Sequence, residues 1–138
     1  VYANLLFGKI GEKLFFNLIK NVMMLDSLEE NGADNFSTPE SFQQTGAADL
    51  IDRKNKVAVD VVCGRVKKFD IKLHKLNEAK RIYHKHRFVS FQFSVDLLNG
   101  KYTETKINNL SEQDFVENAS FEGQLCYTVP DNDFESYV

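Results

Sequence analysis

The most informative part of the chain is residues 48–63, ADLIDRKNKVAVDVVC, in which the polar turn RKNK separates two β-rich runs. A short polar turn between two such runs is typical of a β-hairpin. Whether the turn consists of the two residues KN or of all four residues RKNK, partners across the hairpin have residue numbers that sum to 109. This register predicts that Asp49 lies directly opposite Asp60.

Two facing carboxylates are unfavourable unless something neutralises them. Cross-strand partners have Cβ atoms about 4.5–5.5 Å apart, where like charges repel. The same face carries Ala47, Ile51, Ala58 and Val62, and the other face is also apolar, so we expect a hairpin that is buried on both sides. A buried carboxylate pair needs a metal ion, a shared proton or cationic partners, whereas on a solvated face salt would screen the repulsion. The sequence favours the metal ion and leaves purely structural acids open.

A hard cation such as Mg²⁺ or Mn²⁺ takes oxygen ligands and keeps several waters. Asp49, Asp60 and the backbone carbonyl of Val61 would be a sufficient protein contribution. Glu12 is the candidate third acid, because residues 3–24 have the spacing of an amphipathic helix and Glu12 lies at the border of its apolar face. An ordinary glutamate at the edge of that face is the alternative.

These features resemble the PD-(D/E)xK nuclease superfamily. The resemblance rests on a glycine-led helix with an internal glutamate (GKIGEKLFF), a strand-borne aspartate (GAADLID) and a second acid eleven residues later (VAVDVV). A predicted helix and strand follow in LNEAKRIYHKHRFVSFQFSV, so the resemblance covers about residues 8–96. It implies an α/β fold with a mixed central sheet flanked by helices, a restriction-endonuclease-like core. It also implies that Asp49, Asp60 and Glu12 hold Mg²⁺ or Mn²⁺ and that the chain cuts DNA or RNA.

The catalytic lysine departs from the family pattern. The family places it two positions after the second acid, where this chain has Val62, which can neither polarise a water nor stabilise charge. In the cap-snatching viral endonucleases of the superfamily the lysine comes from the following helix. That helix is predicted over about 74–86 and makes Lys75 and Lys80 candidates, with Lys72 nearer the strand.

Two further alternatives stay open at this position. In the first, the motif is framed differently: Asp70-Ile71-Lys72 is an intact DxK sequence, and Asp60 is its upstream aspartate. In the second, the domain has lost catalysis and is a nuclease-fold module that binds nucleic acid or a protein partner. Lys72 and Lys75 would then be ordinary solvated lysines.

The charge distribution points to a polyanionic partner. Residues 53–87 contain 12 of the 17 Lys and Arg against three acids, a net charge of +9, whereas residues 111–138 contain seven acids and no Lys or Arg. A concentrated basic segment is the usual mark of a nucleic-acid partner, although one solvated helix gives the same count. Enzymes that cut both strands are often dimers, so a homodimer is a further expectation.

The length of 138 residues predicts one domain over 1–138, with a core of about 8–96 followed by a C-terminal hairpin and an acidic tail over 97–138. The tail is expected to be disordered. No run of about 18 apolar residues occurs, so we expect neither a membrane span nor a membrane partner. The two cysteines have no CxxC spacing, which indicates a reducing, cytoplasmic location and leaves a viral or mobile-element origin open.

Overall fold

The computed structural model describes residues 14–30, 48–65, 68–118 and 123–137. Within these ranges the chain forms two α-helices, nine strands and short 3-10 turns. The elements are α1 (described over 14–22), β1 (Leu28–Glu30), β2 (Leu50–Asp52), β3 (Val57–Gly64), β4 (Asp70–Lys72), α2 (Leu73–His86), β5 (Val89–Asp96), β6 (Lys101–Lys106), β7 (Val116–Asn118), β8 (Gln124–Thr128) and β9 (Glu135–Ser136).

The strands form two sheets. The larger is a mixed six-stranded sheet in the order β1-β2-β3-β5-β6-β9, and the smaller has three strands in the order β4-β8-β7. The parallel pair β3–β5 lies at the centre of the larger sheet and is connected through β4 and α2, because parallel neighbours need a long crossover. The prediction of a mixed central sheet flanked by helices is therefore confirmed.

The β2–β3 hairpin has the register that the sequence predicts. Leu50 pairs with Val59 and Ile51 with Ala58, so partner numbers sum to 109, and the turn consists of residues 53–56. The carboxylate of Asp52 accepts hydrogen bonds from the backbone N–H of Asn55 at 2.8 Å and from its side-chain amide at 3.0 Å. Such local bonds favour the turn over a longer loop.

Alternation along the central strands gives the sheet one apolar face, which packs against α1. Its buried residues form one cluster with the inward side chains of α1 and β1, including Ile19, Leu28, Val59, Phe93 and Val95. Phe93 has no exposed surface, and its ring stacks on Tyr102 with centroids 5.3 Å apart. The helix predicted over residues 3–24 is thus described from residue 14 and provides the cover for this face.

The opposite face is covered in part by α2, which begins at Leu73, close to the predicted start. The helix buries Leu76, Ala79 and Ile82, a spacing of three residues that matches one helical face. Leu76 and Ala79 belong to a hydrophobic cluster shared with the three-stranded sheet. Ile82 lies near Ala58, at the start of β3. Residues 60–64 of β3 extend beyond the paired part of β2.

The expectation that the hairpin is buried on both sides is wrong at Val62, and Ala47 of that prediction lies outside the described residues. Ile51 and Ala58 are buried, but 38% of Val62 is exposed. The reason is that β2 begins at Leu50, so the second half of β3 has a paired neighbour only on the β5 side among the described residues.

The C-terminal region is more ordered than its composition predicts. β5 and β6 form the expected hairpin, closed by residues 97–100. The acidic tail, which was expected to be disordered, contributes β9, and Glu135 of this strand pairs with Tyr102 at the edge of the larger sheet. A hydrogen bond from Tyr102 Oη to Glu135 at 3.2 Å and an edge contact between the rings of Phe15 and Tyr137 hold the tail in place. No helix in the described ranges is long and apolar enough to cross a membrane.

Candidate functional site

The two predicted aspartates lie together at the open end of the hairpin. Asp49 immediately precedes β2, and the register of the hairpin places it at the level of Asp60 on β3. Asp49 Oδ2 accepts a hydrogen bond of 2.8 Å from the backbone N–H of Val61. The carboxylate thus takes the position at the edge of β3 that a backbone carbonyl would occupy if β2 continued.

Asp60 is a mostly buried acid, with 22% of its side chain exposed. Burial, which has the largest effect, raises the pKa of its carboxyl above the ordinary value of 3.8. The ammonium group of Lys75 lowers this pKa, and the negative charge of Asp49 raises it, with the net result an increase. The ionised form of Asp60 is therefore less favourable in the folded protein than in water, and added positive charge would stabilise it.

Lys75 supplies positive charge from the first turns of α2. Its Nζ lies 3.3 Å from Asp60 Oδ2, and 37% of its side chain is exposed. Burial lowers the pKa of the ammonium group, but the carboxylates of Asp60, Glu78 and Asp49 raise it by more, to a value above the ordinary 10.5. Lys75 is therefore a fixed cation at neutral pH and not a general base.

A small cleft between α2 and the sheet gives access to these groups. Its polar lining is Asp60, Lys75, Glu78 and Ser90, and its apolar lining includes Ala58 of β3 and Ala79 of α2. The small side chains at the last two positions let the helix approach the strand closely. Asp60, Glu78 and Lys75 thus bring two carboxylates and one ammonium group to this narrow cleft.

The other candidate lysines lie elsewhere. Lys72 is on β4 of the smaller sheet, where its register partner is Cys126. Lys80 is exposed and lies five residues after Lys75, which is about 140° around the helix from it. Of the three candidates, Lys75 is the one whose ammonium group pairs with Asp60.

The alternative frame that uses Asp70 and Lys72 has a different environment. Asp70 lies on β4 and accepts hydrogen bonds from Thr128 Oγ1 and from the side-chain amide of Asn118 at 3.3 Å. These partners are uncharged groups that join β4 to β8 and β7. The observed role of Asp70 is therefore to connect strands of the smaller sheet.

Gln92 is a residue of this region that sequence reasoning missed. It is the register partner of Asp60 on the adjacent strand β5, and only 4% of it is exposed. Its amide donates a hydrogen bond of 3.1 Å to Ser94 Oγ, and Ser94 is fully buried. The alternation of Ser90, Gln92 and Ser94 along RFVSFQFSV was the available signal, because a polar residue at every second position predicts one polar face of a strand. The structure shows a row of buried polar groups beside Asp60.

The donor set suits a hard divalent cation. Asp49 and Asp60 supply carboxylate oxygens. The N–H and C=O of one strand residue point to the same edge of the strand. The Val61 carbonyl therefore lies on the edge of β3 where the Val61 N–H donates to Asp49. The described ranges contain no cluster of three or more His, Cys, Asp or Glu side chains. An ion held by these groups alone would keep several waters, as Mg²⁺ usually does. Glu12, the predicted third ligand, lies outside the described residues.

Comparisons with known proteins give no relative from which a function could be transferred. No family model, no curated protein and no solved structure matches the chain.

Proposed function

We propose that this chain is a metal-dependent nuclease that hydrolyses phosphodiester bonds of DNA or RNA. The observation that carries the proposal is the group of Asp49, Asp60 and Lys75, in which Asp60 and the protonated amine of Lys75 line a cleft and Asp49 lies beside Asp60 at the edge of β3. Metal-dependent phosphodiester hydrolysis uses this combination: oxygen ligands for a divalent cation and a positive charge for the phosphate.

Each residue has a chemical role in the proposed reaction. The carboxylates of Asp49 and Asp60 and the Val61 carbonyl would hold Mg²⁺ or Mn²⁺, and Glu12 would support it. When bound, such an ion lowers the pKa of water and neutralises charge that develops on the phosphate. Lys75 is protonated at neutral pH, so its part is to stabilise negative charge on a phosphate oxygen and not to remove a proton.

The order of elements supports the same proposal. A helix precedes an antiparallel pair, β2–β3, and α2 then connects β3 to its parallel neighbour β5. This is the order expected of a restriction-endonuclease-like core, which we propose for the region that includes α1 to β5. Lys75 on α2 would then take the place of the lysine that Val62 lacks.

Cleavage by the purified chain tests the proposal. With millimolar Mn²⁺ we expect cutting of fluorescently labelled DNA or RNA, and we expect Asp49→Asn and Asp60→Asn to reduce it at least a hundredfold. Glu117→Gln, at an exposed position of β7, is the matched control because it also removes one carboxylate charge. Cleavage by Asp60→Asn at the wild-type rate would refute the site.

A second function, binding without cleavage, is favoured by one specific observation. Val62 occupies the position of the family lysine, and Lys75 already provides Asp60 with a counter-charge without any metal. Calorimetric titration with Mn²⁺ separates the two proposals. Heat of binding that Asp60→Asn abolishes supports the nuclease, and its absence at near-millimolar Mn²⁺ supports the binding module.

A further inference from the structure

Two basic segments that are distant in sequence meet at one end of the larger sheet. One is the β2–β3 turn over residues 53–56, and the other is the end of α2 with the following residue, over 84–87. They meet because β3 and β5 are parallel neighbours whose first residues, Val57 and Val89, are partners in the register. The N–H of Val89 donates a hydrogen bond of 2.9 Å to the carbonyl of Lys56.

Four cations of these segments are exposed and form no ion pair with the described residues. Lys54, Lys56, Lys85 and Arg87 are exposed, and within the described ranges none of the four forms an ion pair. Arg53 differs, because its Nε lies 3.2 Å from a carboxylate oxygen of Glu29. We call the four unpaired cations the basic end. It presents a concentrated positive charge that no side chain of the described residues neutralises.

Two of the four cations occupy backbone positions that normally favour glycine. Lys56 has φ 56° and Arg87 has φ 64°, both in the left-handed region. Side chains at such positions are uncommon and cost conformational energy, and the residue that ends a helix in this conformation is usually Gly or Asn. Arg87 has one contact within the fold, because its guanidinium lies over the ring of Tyr83 at 5.4 Å from the centroid, and both cations stay exposed at positions where backbone stability favours other residues.

The basic end lies in line with the candidate site. β3 runs four residues from Lys56 to Asp60, a distance of about 13 Å along an extended strand. α2 runs back in the other direction, and His86, eleven residues after Lys75, is on the same helical face about 16 Å away. Thirteen to sixteen ångströms correspond to about four nucleotides at 3.4 Å per nucleotide.

We infer that the basic end binds backbone phosphates of a nucleic acid about four nucleotides to one side of the phosphate that lies at Asp60. The distance to the cut rests on the proposed nuclease function, whereas the binding itself does not. A phosphodiester backbone fits better than an acidic protein, because it carries one negative charge per nucleotide and a single strand of it can reach from the basic end to Lys75 beside Asp60.

Binding measured in EDTA, where no cutting occurs, tests the surface separately from the chemistry. The probes are fluorescein-labelled 16-residue oligonucleotides of one sequence, as single-stranded DNA, single-stranded RNA and duplex DNA. We expect Lys54→Gln/Lys85→Gln to weaken binding about tenfold at moderate salt. We also expect the slope of log affinity against log salt to fall by about two, one for each lost phosphate contact. Lys20→Gln/Lys106→Gln, on α1 and at the end of β6, removes two charges elsewhere and should leave affinity and slope unchanged.

A second variant excludes misfolding as the explanation. Lys56→Gly/Arg87→Gly relieves both left-handed positions, so it should raise the melting temperature while it weakens binding to a similar degree. A variant that is more stable and binds less tightly cannot owe its loss to an impaired fold.

Wild-type affinity and salt slope in both basic-end variants would overturn the inference, and so would tighter binding to poly-glutamate than to every oligonucleotide. If the basic end binds, but Mn²⁺ produces no cutting, the nuclease proposal fails and the binding surface stands.

If cutting occurs, substrates with fewer than about four nucleotides on one side of the cut should be cleaved equally slowly by the wild type and by Lys54→Gln/Lys85→Gln. If the loss of cleavage in Lys54→Gln/Lys85→Gln does not depend on the length of the substrate on either side of the cut, the bound phosphates lie away from the line between Asp60 and Lys56. That result would contradict the inference.

Discussion

Lys75 Nζ lies 3.3 Å from Asp60 Oδ2, although 15 residues and a change of layer separate the two positions in the chain. The contact exists because α2 begins directly after β4 and passes back over the face of β3 that carries Asp60. A cation on α2 can thus serve a carboxylate on β3 without any lysine on β3 itself. Several measurable consequences depend on this pair and on the groups around it.

The charge of Asp60 should destabilise the metal-free protein. Because the pKa of Asp60 is raised in the folded state, its contribution to stability is fully present below the unfolded value of about 3.8 and is lost as the pH rises through the folded pKa. Asp60→Asn should therefore raise the melting temperature at pH 7.5 in EDTA by roughly 3–5 °C, which corresponds to about 1 kcal/mol in a chain of this size. At a pH of about 3 the wild type and Asp60→Asn should have the same melting temperature.

Circular dichroism melts at both pH values measure this difference. Glu117→Gln removes an exposed carboxylate and should shift the melting temperature by less than 1 °C or so at either pH. A lower melting temperature of Asp60→Asn at pH 7.5 would mean that the ion pair with Lys75 outweighs the cost of burial, and it would contradict the prediction.

Divalent cations should make the wild type more stable than Asp60→Asn, the reverse of the order expected in EDTA. An ion that binds only the folded state stabilises it by about 2.7 kcal/mol when its concentration is a hundred times the dissociation constant. Mn²⁺ should therefore raise the melting temperature of the wild type and leave Asp49→Asn and Asp60→Asn unchanged. Equal increases in all three proteins would show that the ion binds elsewhere.

Lys75 should be replaceable by a lysine at the position of Val62. Lys75→Met removes the cation and should lower the cleavage rate about 10²–10³-fold, the usual loss for one group that stabilises transition-state charge. Val62 lies two residues after Asp60 on the same face of β3 and is 38% exposed, so a lysine there can reach the site without burial of its charge. The cleavage rate of Lys75→Met/Val62→Lys should be at least tenfold higher than that of Lys75→Met.

Val62→Lys alone is the control for this exchange and should cut at close to the wild-type rate. If the double variant is as inactive as Lys75→Met while it melts normally, the amine of Lys75 has a role that depends on its place on α2. That outcome would contradict the idea that Lys75 stands in for a lysine on β3.

The parts of the site that the sequence predicts are those set by local geometry. The turn RKNK and the alternation around it are sufficient to define the register and hence the level of Asp49 and Asp60. The choice among Lys72, Lys75 and Lys80 depends on where the crossover places α2, which is a matter of long-range packing. Val62 was expected to be buried, because the late start of the paired part of β2, at Leu50, is not encoded in a pattern of residue types.

Gln92 was missed for a related reason. Its alternation with Phe91 and Phe93 predicts one polar face for β5, but a face becomes buried only when other elements cover it. Here α2 and the 3-10 turn Ile107–Asn109 pack against β5. A single sequence gives no sign of that enclosure.

Gln92→Glu should turn this buried amide into a third carboxylate beside Asp60. Without metal, the added charge is buried next to an acid whose pKa is already raised by burial and by Asp49, so we expect a lower melting temperature at neutral pH. With metal, a further oxygen ligand of negative charge should tighten Mn²⁺ binding several-fold in a calorimetric titration. The matched control is Gln92→Met, which keeps the length of the side chain but adds no charge and should weaken or leave unchanged the affinity for Mn²⁺. Equal affinities in Gln92→Glu and the wild type, in a variant that is still folded, would mean that the bound ion lies away from the β3–β5 pair and would contradict the assignment of Asp60 as a ligand.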